Sequence, residues 1–320
     1  MARLSVLTPT WNRAEYLERN WQGLLNQNRD DFEWIVVDDG SNDKTAEVMK
    51  KIMSSTVLPI TYARFSQRVG KCRADNLLLE LSKESELVIW CDSDDTLVPD
   101  ALNKLIQAWD RQGYEKNNFI GCIGLCIDSY GKIQSTNPEF SRELLCTWRQ
   151  LDLVNGMRND MCLLINRQKI GLNRFPEHDL VMSESGFWHQ FFNDQILYIP
   201  YVLKIMSRTA DNRISGVRKM EYCRGKAYSI IYANAHDYHD LSRISRLMLS
   251  RNFHRYCFHG EISISRRAIL FKAKKDFIYH LGLVYGTLLA LMDVVRGRVT
   301  RTHLIFDEGL SCRPVVTKNY

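Results

Sequence analysis

The chain has 320 residues, 45% of them hydrophobic and 25% charged, a composition that suits a globular protein with a full core and excludes broad disorder. Its net charge of +6 is unevenly spread: from Gly216 onward there are 18 Lys/Arg against 8 Asp/Glu, and the rest of the chain is negative by about 4. Such a block suits anionic lipid or an acidic polymer, and because its basic residues are interleaved with a long apolar run rather than with stacking platforms, nucleic acid is disfavoured.

Leu4 to Thr8 reads as a short strand broken by Pro9, and Thr10-Trp11-Asn12-Arg13 lead into a periodic helix from Ala14 to about Asn26. No secretory signal is visible in this start. Phe32 to Val37 is a second strand, closed by the turn residues Asp38-Asp39-Gly40-Ser41-Asn42-Asp43 and followed by a helix from Lys44 to Met53. Ile60 to Phe65 is a third strand, and Gly70-Lys71-Cys72-Arg73-Ala74-Asp75-Asn76 opens a helix reaching Leu81. Leu87 to Cys91 is a fourth, buried strand that ends in Asp92-Ser93-Asp94-Asp95, with Pro99 suited to the first turn of the next helix. Strands and helices alternating at this spacing imply right-handed crossovers, hence an α/β fold with a mainly parallel sheet and helices on both faces.

In such a sheet every strand delivers its C-terminal end to one edge, where ligands bind. Thr8 to Arg13, Asp38 to Ser41, Gly70 to Asn76 and Asp92 to Asp95 should therefore converge. Trp11 can stack on a base, an Asp can accept from a base N–H, Lys71 and Arg73 can meet phosphate oxygens, and Asp94 can bind a divalent cation such as Mn²⁺ or Mg²⁺. The plainer alternatives are packing for Trp11, a solvated helix start for Lys71, and helix capping for Asp94 and Asp95. No GxGxxG or Walker-type loop is present, which argues against a dehydrogenase or a P-loop nucleotidase.

Further along, Met161 to Ile165 is a strand, and Ile196 to Met206 reads as an edge strand interrupted by Pro200. Arg208 and Arg213 follow it in a loop where each can be solvated at the surface or meet an anion such as phosphate. From Glu221 the pattern changes to long helices, with Leu241, Ile244, Leu247 and Met248 expected in the core, and His236 and His239 expected to be structural rather than metal ligands. Phe277 to Val295 is apolar apart from His280 and Asp293, and it is flanked by Arg266, Arg267, Lys272, Lys274 and Lys275 on one side and Arg296, Arg298 and Arg301 on the other. It is marginal as a membrane span and better suited to lying in the interface of an anionic membrane, the competing reading being a buried packing helix or an oligomer contact. Nine cysteines without CxxC spacing favour reduced thiols and a cytoplasmic setting.

The blocks Val6 to Arg13, Val36 to Ser41, Gly70 to Asn76 and Asp92 to Asp95 with Pro99 together resemble glycosyltransferase family two, with Trp11 where Tyr is usual and Asp75 where Arg is common. The resemblance implies a GT-A fold: a nucleotide-sugar-binding half over residues 1–115, an acceptor-binding half over 116–215, and a basic helical C-terminal region over 216–320. It implies donor contacts from Thr8, Pro9, Thr10, Trp11, Asn12, Arg13, Asp39, Lys71, Arg73, Asn76, Asp92 and Ser93, with Asp39 accepting from uracil or a comparable base. Asp94 would be the metal ligand.

The activity implied is inverting transfer of a sugar, with a UDP-sugar favoured as donor, to a glycan or lipid-linked hydroxyl at the inner face of the cell membrane. The base is expected from Met182-Ser183-Glu184-Ser185-Gly186, similar to the place where the family carries a Glu-Asp pair. Ser185 replaces the Asp, so Glu184 is the first choice and Asp179 the second. The rival readings are a sugar nucleotidyltransferase, for which Pro9-Thr10-Trp11 does not supply the usual phosphate loop, and a catalytically silent glycan- or lipid-binding scaffold.

Overall fold

The computed structural model describes the chain apart from residues 1–2, 113–118, 135–140, 154–159, 178–183, 208–217, 235–241, 272–275, 297–298, 301–313 and 320. Four parallel strands form its centre: β1 (Leu4–Thr10), β2 (Phe32–Asp38), β3 (Ile60–Arg64) and β4 (Leu87–Trp90), joined by helices α1 (Ala14–Leu25), α2 (Thr45–Ser54) and α3 (Lys71–Leu81). Pro9 does not break β1. It pairs with Val37 inside the strand, which continues to Thr10.

The short strand β5 (Thr96–Leu97) precedes α4 (Ala101–Asp110), then come β6 (Phe119–Asp128), β7 (Leu144–Thr147), α5 (Trp148–Leu153), β8 (Met161–Asn166), α6 (Arg167–Ile170), α7 (Ser185–Trp188) and β9 (Gln195–Met206). The sheet order, opened by the C-terminal strand β12 (Val315–Asn319), is β12-β3-β2-β1-β4-β8-β6-β9-β5, with β7 also on β9. Its second half is mixed, since β8 runs antiparallel to β4 and β6 while β9 is parallel to β6.

Two expectations are corrected here. The helix after the acidic stretch starts at Ala101, not Pro99, because Thr96–Leu97 pairs with β9 and Asp100 turns the chain in a left-handed conformation, φ 64°. Nor is β9 an edge strand: it has β6 along one side, while β7 covers Gln195 to Tyr198 and β5 covers Lys204 and Ile205 on the other. Pro200 falls in the gap between those two partners and at a register shift opposite β6, where a missing N–H leaves no ladder bond unmade.

Alternation along the strands sorts the core into two layers. Leu4, Val6, Trp34 and Val36 face α1, α2 and α4, whereas Leu7, Ile35 and Val37 face α3 and the aromatic residues Phe175, Phe187 and Phe191.

The C-terminal region supplies β10 (Arg218–Lys219), α8 (Met220–Asn234), α9 (Arg243–His259), α10 (Ile264–Leu270), α11 (Phe277–Val295), β11 (Val299–Thr300) and β12 (Val315–Asn319). The expected core stripe on α9 is not core: Ile244 and Met248 are exposed and Leu247 is only half-buried. The buried face is instead Ser250, Phe253, His254 and Cys257, because α11 lays its small residues there. A Cβ on Gly282 would stand 2.3 Å from Ser250 Oγ, and one on Gly286 would stand 2.3 Å from the Arg251 carbonyl oxygen. Leu241, His236 and His239 lie outside the described residues. Strand β12 returns to the sheet and pairs antiparallel with β3.

Candidate active site

The C-terminal ends of β1, β2 and β4 and the start of α3 meet at one sheet edge, as the parallel order requires. The loop after β1 is tied to the turn after β2: Asn12 N donates to Ser41 Oγ at 2.8 Å, Asn42 N donates to Asn12 Oδ1 at 2.9 Å, and Asp39 N donates to the Thr10 carbonyl oxygen at 2.8 Å. Asp38 fixes the turn itself, accepting from Ser41 N at 2.8 Å and from the Tyr62 hydroxyl at 2.7 Å. Gly40 is required there, since at φ +69° an added Cβ would come within 2.2 Å of the Gln67 backbone.

Asp39 is buried, and one oxygen, Oδ1, accepts from both Val69 N (2.5 Å) and Gly70 N (2.8 Å). Burial pushes its carboxyl up to about 6 against the pull of those donors. The Arg68 guanidinium lies over the Trp11 ring, 3.7 Å from its centre, with Nε 3.9 Å from Asp39 Oδ2. Arg68 thus bridges Trp11 and Asp39.

The acidic stretch after β4 is clamped from α1. Asn20 Nδ2 donates to the carbonyl oxygens of Asp92 (3.0 Å) and Asp95 (3.1 Å), and Arg19 donates to that of Asp94 at 2.5 Å. Its three carboxylates have different surroundings. Asp95 is buried and pairs with the buried Lys204 of β9 at 3.0 Å, so it faces inward. Asp94, its carboxyl raised by burial and next by Asp92, has Arg13 at 3.9 Å. Asp92 leaves 40% of its side chain exposed and lies 3.2 Å from Lys71 Nζ.

Lys71 is a hub. Its ammonium is 2.6 Å from Glu184, 3.2 Å from Asp92 and 3.5 Å from Asp75, which is fully buried and accepts from Trp90 Nε1 at 3.2 Å. Burial opposes the charge on Lys71, but the three carboxylates prevail and hold it well above its usual range. Glu184 stands at the start of α7 without capping it through its side chain. Below it, Phe175 stacks on Phe187 at 3.9 Å and Trp90 meets Trp188 edge-on at 5.2 Å, which pins the segment.

Several expected donor residues sit behind this surface. Thr8 is fully buried, donating to the Cys91 carbonyl oxygen and accepting from Trp34 Nε1, and Pro9, Thr10 and Ser93 are buried as well. Arg73 pairs with Glu177 at 3.5 Å, and Asn76 grips the same turn through Phe175 N, Phe175 O and Glu177. Asp179, Arg208 and Arg213 lie outside the described residues.

Sequence reasoning missed Arg68, Asn20 and Lys204. The last two carried a signal: Asn20 is a polar residue on the apolar stripe of Leu17, Trp21 and Leu24, and Lys204 is a lone charge inside the run from Ile196 to Met206. Arg68 sits in a loop with no periodicity to mark it.

No group of three or more His, Cys, Asp or Glu able to cage a metal occurs among the described residues. Mg²⁺ and its relatives do not need one, because they bind through one or two carboxylates and take their other oxygens from phosphate and water. Asp94 beside Asp92 fits that pattern, being a hard-oxygen pair whose crowding already disfavours the charge on Asp94.

A family model described as "Glycosyl transferase family 2" matches residues 5–158. A Campylobacter jejuni GalNAc(5)-diNAcBac-PP-undecaprenol beta-1,3-glucosyltransferase is 26% identical over 209 residues, 64% of this chain and 64% of that enzyme. Among solved structures, Staphylococcus aureus TarS 1-349 in complex with UDP-GlcNAc superposes with a TM-score of 0.60 at 16% identity, covering 98% of this chain and 99% of that one. The Pyrobaculum calidifontis mannosyltransferase PcManGT in complex with GDP-Man and Mn²⁺ superposes with a TM-score of 0.51 at 18% identity, covering 92% and 82%. At these identities the two structures speak for the fold.

Proposed function

The chain belongs to glycosyl transferase family 2 through residues 5–158, and from that premise we propose that it transfers a sugar from a nucleoside diphosphate donor to a hydroxyl acceptor with inversion. The observation that carries this reading is the meeting, at one sheet edge, of a stacking surface with a base-accepting carboxylate (Trp11, Asp39), a metal-suited carboxylate pair (Asp92, Asp94) and a carboxylate from the acceptor side (Glu184). A uracil donor is favoured. Since Asp39 Oδ1 already accepts two backbone N–H groups, only Oδ2 is left for a base, which suits the single ring N–H of uracil better than the paired donors of guanine.

In the transfer, Glu184 takes the proton of the acceptor hydroxyl, whose oxygen bonds to the anomeric carbon as the bond from that carbon to the diphosphate oxygen breaks on the opposite face. Asp94, with Asp92 near, would hold a divalent cation, and that cation when bound would supply charge stabilisation to the departing diphosphate. Arg13, 3.9 Å from Asp94, is placed to add to that positive field. With Mn²⁺ and a panel of nucleotide sugars, the purified protein is expected to release nucleoside diphosphate from one UDP-sugar, and chelation should stop it. Exchange of pyrophosphate into a nucleoside triphosphate, or no turnover of any donor, would refute the proposal.

A lipid-linked glycan is the acceptor class we favour, in keeping with the undecaprenol-linked substrate named for the Campylobacter relative and with the geometry of α11. This helix buries only Tyr279, Gly282, Gly286, Ala290 and Asp293 against the body, and presents Phe277, Leu281, Val284, Leu288, Leu291 and Val295 to the outside. Asp293 ties it to the polar helix α9 through both Arg255 Nε and Nη2 at 2.6 Å, with His259 Nε2 at 3.1 Å. Bound along its length to the Arg-rich α9, the apolar α11 is better suited to lying in the plane of a cytoplasmic membrane surface than to crossing hydrocarbon. Val284→Asp and Leu288→Asp are each expected to weaken binding to anionic vesicles about thirtyfold, from a loss of about 2 kcal/mol of apolar burial per side chain. Sedimentation with vesicles checks this.

A further inference from the structure

Helix α3 opens the block expected to meet phosphate, yet its polar side chains are turned to the acceptor-side segment. Arg73 and Asn76 hold Glu177 and Phe175, and Lys71 holds Glu184. Lys71 is the telling member. An ammonium has three N–H donors, and Lys71 has three carboxylates around it: Asp75 beneath, Asp92 on the donor side and Glu184 on the acceptor side, at 3.5, 3.2 and 2.6 Å. Meeting a diphosphate oxygen would mean giving up one of these pairs. Asp75 makes that costly, because it is fully buried and would be left with the Trp90 N–H alone among the partners described above.

We propose that Lys71 is a positioning residue for Glu184, spanning the gap between the donor and acceptor halves and setting where the base stands relative to Asp92, and that it is not a ligand of the donor diphosphate. Asp75, the departure from the family pattern, is what draws the lysine inward. The proposal rests on Glu184 being the base.

The test compares Lys71→Met, Lys71→Arg, Glu184→Gln and the Lys71→Met/Glu184→Gln double variant, in the full chain, by donor KM, kcat and calorimetric UDP affinity. Lys71→Met is expected to lower kcat about 50-fold while donor KM and UDP affinity stay within about twofold, the signature of an interaction that matters in the transition state and not in donor binding. In the Glu184→Gln background the same change should cost less than about threefold, because the two residues act as a unit. Lys71→Arg keeps a cation beside Asp75, which guards the fold, and should show the same split in smaller measure.

A tenfold or larger rise in donor KM or fall in UDP affinity with kcat preserved, in either single variant at Lys71, would overturn the proposal alone. So would fully additive losses in the double variant. Undiminished turnover by Glu184→Gln would remove the base assignment, and this inference with it.

Discussion

Asp94→Asn is expected to lower kcat/KM by about a thousandfold, equivalent to about 4 kcal/mol of charge stabilisation at the leaving group. The side chain is the part of the acidic stretch least committed to structure: Asp95 is locked to Lys204, and the backbone at Asp94 is held independently by Arg19. Its own carboxylate lies 3.9 Å from Arg13 and has been pushed toward the protonated form by burial and by Asp92, so a cation arriving there relieves a repulsion. Asn preserves shape and removes the charge. The thermal midpoint should therefore change little while Mn²⁺-dependent binding of UDP, measured by calorimetry, falls with the activity. Retention of metal-dependent UDP binding would show that the cation is held elsewhere.

The second large effect is expected at Glu184. Removing a general base costs about 10²–10⁴-fold in rate, and Glu184→Gln should show this in transfer to the acceptor while UDP affinity is unchanged. The aromatic bed of Phe175, Phe187, Trp90 and Trp188 keeps the segment in place without help from the carboxylate, so the loss is chemical and not structural. Asp179→Asn is the companion measurement. If it abolishes transfer and Glu184→Gln does not, the role belongs to Asp179.

Much of the first hundred residues was legible because each parallel strand there is a short apolar run closed by a turn, and each crossover helix carries its own period. The four strands and three helices fall within a residue or two of their expected bounds, apart from the extension of β1 through Pro9. What local pattern cannot carry is pairing at a distance. Thr96–Leu97 is a strand only because Lys204 and Ile205 lie beside it, and Pro200 is tolerated in an interior strand only because two partners change over at that point. The exposure of Ile244 and Met248 has the same origin, since the small residues of α11 select a different face of α9.

At the candidate site, residue types pointed to one sheet edge, where the structure brings them together, but the surroundings of each side chain depend on neighbours remote in the chain. Lys71 and Arg73 read as phosphate contacts because nothing near them announces Glu184 or Glu177, which lie more than a hundred positions away. Thr8 read as a donor contact because its burial against Trp34 and Cys91 is a property of the assembled sheet.

The return of β12 to β3 bears on how the chain is made. Ile60 N donates to Asn319 Oδ1 at 2.6 Å across 259 positions, and Asn319 Nδ2 reaches the Met53 carbonyl oxygen at 3.0 Å. During synthesis β3 leaves the ribosome long before the strand that covers its outer side, and an uncovered strand is a template for pairing with other chains. The nascent strands β1 to β4 must wait, shielded or held dilute, for that ladder to close, and a change at Asn319 would act on the closure before it reached the candidate site.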